Sequence, residues 1–102
     1  MKLWESASLI RSKNAGPFIL TLDIMFADRD AYEKVRDSGV LDRNLVAAIY
    51  GVPVEDVDGY ECDNALALKF SMPRPLPQGD FGDGDMHGGQ QYAPLLDIEV
   101  PR

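Results

Sequence analysis

Phe18 to Phe26 alternates without a break: Phe18, Leu20, Leu22, Ile24 and Phe26 take one parity, and Ile19, Thr21, Asp23 and Met25 take the other. That period of two predicts a strand with one face on a hydrophobic core. It commits the chain to a sheet, because a single strand buries nothing alone. The second face carries one anomaly: Asp23 sits among apolar and neutral residues and requires a partner. A second extended segment, Tyr60 to Met72, sets Leu66, Leu68, Phe70 and Met72 against Ala65, Ala67, Lys69 and Ser71. If the two segments pair, Lys69 lies near Asp23. Leu95 to Val100 alternates too, with Leu96, Ile98 and Val100 against Asp97 and Glu99.

Between the first two extended segments the period changes. Asp28 reads as the N-cap of a helix over Arg29–Ser38, with Tyr32 and Val35 inward and Gly39 ending it. Asp42 caps a second helix over Arg43–Tyr50, with Leu45, Val46, Ala48 and Ile49 at helical spacing and Gly51 closing it. Leu3–Ile10 fits a short helix or the lead into a strand, and residues 11–17 read as a polar turn. The element order predicts a single α+β domain over residues 1–102: a small, mostly antiparallel sheet with two helices on one face.

Residues 73–92 interrupt this pattern. They hold the only histidine, five of the nine glycines and three of the seven prolines. Proline fixes φ and removes a donor, and glycine loses the most backbone entropy on ordering, so no regular element fits. The expectation is a long Pro/Gly-rich loop over residues 72–94, before a last strand, that is functional or docks a partner.

The formal net charge of −7 disfavours nucleic acid and anionic membrane as partners. The charge is uneven. Lys2, Arg11 and Lys13 outweigh Glu5 near the N-terminus, whereas residues 74–102 carry five acids and two arginines. A lone cysteine, Cys62, forms no internal disulfide and fits a reducing cytoplasm. The N-terminal residues lack a signal-peptide pattern, and no apolar stretch is long enough to cross a bilayer. No phosphate loop or dinucleotide fingerprint is present, and the ligand set is too sparse for a metal site, so no cofactor is expected.

Three polar segments carry candidate chemistry. Arg11, Ser12, Lys13 and Asn14 combine two cations, a hydroxyl and an amide, a set suited to a carboxylate or phosphate. The plain alternative is a solvated turn. Lys69, Ser71 and Arg74 place cations and a hydroxyl at a strand end, where a desolvated lysine can move a proton. The plain alternative there is a charge pair with Asp23. Asp85, His87 and Gln90 put an imidazole beside a carboxylate that can fix its tautomer, against the alternative of a surface loop.

These segments, with Thr21–Ile24, Gly39–Leu41, Tyr50–Val52 and Ala93–Leu96, resemble a small microbial family of unknown function about this length. Its members resemble separate partners of, or extensions to, acyclic terpene utilisation AtuA-type proteins. The resemblance implies an accessory subunit that completes an active site on a larger AtuA-type partner, with oligomeric assembly. The expected chemistry is a hydratase or dehydratase (lyase-type) step on a carboxylated or CoA-linked metabolite. Arg11, Lys13 and Arg74 would hold the anion, with Ser12, Asn14, Ser71 and Gln90 around it. His87 with Asp85, or Lys69, would move the proton. The alternatives are a non-catalytic interaction module and a small-anion-binding protein.

Overall fold

The computed structural model describes residues 1–16, 18–73 and 93–101. Arg74, Asp85, His87 and Gln90, with residues 74–92 of the expected 72–94 loop, lie outside the described residues. Among the described residues a short helix α1 (Leu3–Ser6) leads into strand β1 (Leu9–Asn14), then β2 (Ile19–Met25). Helices α2 (Arg29–Ser38) and α3 (Arg43–Tyr50) follow, then β3 (Asp58–Cys62) and β4 (Ala67–Pro73). The strands form one antiparallel sheet in the order β1-β2-β4-β3. The chain leaves β2, passes through both helices to β3 at the far edge, and returns to fill the gap with β4. The domain is α+β, as the pattern of elements predicts.

The helices begin and end where their capping residues dictate. The Asp28 carboxylate accepts from the Ala31 amide, and Asp42 from the Leu45 amide, each at 2.8 Å. Gly39 and Gly51 close the two helices at φ of 70° and 69°, the left-handed region that glycine enters without a Cβ clash. Gly39→Ala is therefore expected to lower stability by about 1 kcal/mol, read as a reduced urea midpoint with an unchanged m-value.

One core lies between the helices and one sheet face. Leu20, Leu22 and Ile24 of β2 stand opposite Met72, Phe70 and Leu68 of β4. All six are buried, together with Tyr32 and Val35 of α2 and Val46 and Ala47 of α3. Leu3, Leu95 and Val100 extend this core at its flank.

Three local expectations are corrected. Residues 11–14 are not a turn. Arg11, Ser12, Lys13 and Asn14 are paired with Asp23, Leu22, Thr21 and Leu20, because hydrogen bonding to β2 overrides their weak strand propensity. Tyr60–Met72 is two strands, not one. A 3-10 turn over Asp63–Ala65 and Leu66 at φ 52° reverse the chain between β3 and β4. Residues 95–100 form no strand; a 3-10 turn, Ala93–Leu95, precedes a single bridge from Glu99 to Lys2. They nonetheless tie to the N-terminal segment, since the Leu3 amide donates to Ile98 O and the Val100 amide to Met1 O, both at 2.8 Å.

Candidate functional site

The sheet face opposite the helices collects the titratable side chains. Cross-strand pairing arranges them in rows. Lys13, Thr21, Ser71 and Asp58 share one row, and Arg11, Asp23, Lys69 and Tyr60 the next. Leu9, Met25, Ala67 and Cys62 make a third, apolar row. The same alternation that buries Leu22 and Ile24 thus presents Asp23 between a cation from each neighbouring strand.

Asp23 is the centre of this face. Its side chain is 5% exposed, and its two carboxylate oxygens serve different partners. Arg11 Nε donates to Oδ2 at 2.9 Å, and Lys69 Nζ stands 3.8 Å from Oδ1. The cations differ from the acid in exposure: Arg11 is 50% exposed and Lys69 45%. A sheltered carboxylate therefore holds Arg11 by a charged hydrogen bond and Lys69 by a looser ion pair, and the outer halves of both cations remain at the surface. The three groups together carry one net positive charge, and Lys13 in the adjacent row adds a second. Asp58, at the far end of that row, opposes them.

The sequence-derived candidates divide between the two faces. Arg11, Lys13, Lys69 and Ser71 share the open face within two rows. Ser12 and Asn14 have the opposite parity and stand opposite Leu22 and Leu20 on the core side, with Ser12 buried. Lys69 meets Asp23 as the alternation predicts. The turn-like composition of residues 11–14 conceals the Arg11 contact, although Arg11 and Asp23 fall in matching positions of a hairpin.

A second cluster lies where α2 meets the β3–β4 turn. Tyr32 is fully buried, and its hydroxyl donates to Asp63 Oδ1. Arg36 donates to the same oxygen at 3.2 Å, and its guanidinium carbon lies 5.3 Å from the Tyr32 ring centroid. Burial, then the bond to Asp63, pushes the Tyr32 phenol up to about 12. The Tyr32 hydroxyl first, and Arg36 after it, hold Asp63 below the usual carboxylate range. These contacts brace the turn that aligns β3 with β4.

Because the Tyr32 pKa is raised, its contribution to stability is present below the unfolded value near 10 and is lost as pH rises toward 12. Tyr32→Phe is expected to cost about 1 kcal/mol at neutral pH and to flatten the decline of stability in that alkaline window. Urea unfolding at neutral and alkaline pH checks both.

An open cleft of about 650 Å³ lies on the core side of β3, between that strand and the start of α3. Leu41, Leu68 and Phe70 supply apolar lining, and Arg43, Gly59 and Glu61 border it. Arg43 is held in place by donating to the Val57 and Val54 carbonyls at 2.7 and 3.1 Å. Among the described residues no group of three or more His, Cys, Asp and Glu is placed to hold a metal ion. Nor is any helix among them long and apolar enough to cross a membrane.

The family model described as Domain of unknown function (DUF4387) matches residues 3–99. The chain belongs to this family. The match takes in α1 and all four strands of this DUF4387 member, and so both partners of Asp23. Neither a curated protein nor a solved structure matches the chain.

Proposed function

We propose that the chain is an accessory subunit or domain whose open sheet face completes an active site on a larger AtuA-type partner. The reading rests on one observation, the sheltered Asp23 carboxylate that holds Arg11 and Lys69 half-exposed on that face. Cations fixed in this way are oriented before a ligand arrives, so an incoming anion need not bear the cost of ordering two long side chains. Arg11, with Lys13 and Arg74, binds the carboxylate or phosphate of a carboxylated or CoA-linked metabolite. The Asp23 ion pair supports Lys69 as a further binding cation. Proton transfer then falls to His87 with Asp85, and Ser71 and Gln90 offer neutral hydrogen bonds. The chemistry that uses bound anion and mobile proton together is addition or removal of water, a lyase-type step. The complex works in the cytoplasm, in keeping with the single cysteine.

The isolated chain should show no turnover, because one half of the site is missing. Co-purification with an AtuA-type protein, followed by hydration assays on the complex and on each component, tests this. Turnover by the 102-residue chain alone defeats the accessory reading. A non-catalytic docking module is the second reading, favoured by the fact that Arg11 and Lys69 already satisfy Asp23 within the chain. A small-anion-binding protein is the third, and would show itself as a rise in Tm of the isolated chain with ligand.

A further inference from the structure

The second outer strand offers a different surface. Among the described residues β3 pairs with β4 alone, so one row of its main-chain donors and acceptors has no strand partner among them. Asp58, Gly59, Tyr60 and Glu61 are all exposed. Directly beside this edge lies the cleft with Leu41, Leu68 and Phe70 on its lining. Gly59 keeps the two features joined. A Cβ there would stand 3.3 Å from Arg43 Cγ and 3.4 Å from the Phe70 ring, so glycine lets the strand run close over the cleft wall.

β3 and the turns that flank it carry acids only, while the cations beside them are Lys69 of β4, opposite Tyr60, and Arg36 and Arg43 of the cleft. From Asn44 to Leu68 the sequence contains Glu55, Asp56, Asp58, Glu61 and Asp63 and no lysine or arginine. These cations are engaged within the chain: Arg43 with the carbonyls of Val54 and Val57, Arg36 with Asp37 and Asp63, and Lys69 with Asp23. Pairing with β3 of a second copy would bring two acidic strands together. We propose that β3 accepts an extended, basic segment of a partner protein as an added strand. Outward main-chain groups of β3 bond to that segment, an apolar side chain of it enters the cleft, and its lysines or arginines meet Asp58 and Glu61. The inference does not use the role given to Arg11, Asp23 and Lys69: the cleft lies on the core side of the sheet, although Asp58 and Tyr60 share the open face with those residues and Tyr60 stands beside Lys69.

NMR of the isotopically labelled full chain, titrated with a short peptide of alternating lysine and valine, tests it. Shift changes are expected at Asp58–Cys62 and at Leu41 and Val54, with slowed amide exchange in β3. The double variant Asp58→Lys/Glu61→Lys, its spectrum otherwise that of a folded chain, should bind about tenfold more weakly. A matching glutamate–valine peptide should leave the spectrum unchanged. The proposal is overturned if millimolar lysine–valine peptide shifts nothing, if the glutamate peptide acts equally, or if the changes fall around Arg11 and Lys13 of β1 and leave β3 unmoved. It is also overturned if β3 signals move with chain concentration alone, which identifies a second copy as the occupant.

Discussion

Leu22→Ala is expected to destabilise the domain by about 3 kcal/mol, and by up to about 5 if the site cannot collapse. Leu22 is fully buried at the middle of β2 and stands opposite Phe70 of β4 and Ser12 of β1. Truncation removes apolar area and leaves a void where the sheet meets the helices. Neighbouring strands hold the backbone on both sides, which restricts relaxation. A small domain has a total stability of about 5–15 kcal/mol, so this one change takes a large share. Urea unfolding should show a lower midpoint with the m-value retained. A loss under 1 kcal/mol would mean that this sheet face does not anchor the core.

Asp23→Ala is expected to have the next largest effect on stability, about 1–2 kcal/mol. The carboxylate is sheltered, accepts a charged hydrogen bond from Arg11 and lies near Lys69. Deleting it leaves two cations on neighbouring strands without their shared counter-charge. The loss is limited because both cations are about half exposed and can turn to water, where ion pairs contribute little. Asp23→Asn keeps the shape and one acceptor, and should recover part of the loss. Equal stability of Asp23→Ala and the parent chain would show that the two contacts contribute nothing net.

Much of the fold is legible in the sequence because local signals agree with the tertiary result. Both long helices are bounded by an aspartate N-cap and a glycine in the left-handed conformation, signals a few residues long that need no distant partner. The alternation in β2 identifies the core face, and pairing it with the Lys69 segment puts Lys69 beside Asp23. Where structure depends on distant hydrogen bonds, the sequence misleads. Arg11–Asn14 has turn-like composition, yet β2 supplies a ladder along its length. The break between β3 and β4 depends on Leu66 at positive φ, a conformation leucine rarely adopts and no glycine marks. The local signal that was available was Asp63-Asn64, a pair that favours turns.

The candidate site was partly legible for the same reason. Parity assigns Lys69 and Ser71 to the face of Asp23 as soon as the two strands are paired. Once residues 11–14 are a strand, parity sends Arg11 and Lys13 to that face and Ser12 and Asn14 to the core side. The Tyr32–Asp63–Arg36 cluster was not legible, because it joins a helix to a turn far along the chain through side chains alone.

The most direct test of the proposed role compares turnover with assembly in the complex with an AtuA-type partner. Arg11→Met and Lys69→Met keep aliphatic stems and remove the charge. If this face binds the anionic substrate, each variant assembles with parental affinity while kcat/KM falls by about 100-fold. Parental kcat/KM in both variants, or loss of assembly with no separate effect on turnover, contradicts a catalytic role for the Arg11–Asp23–Lys69 face.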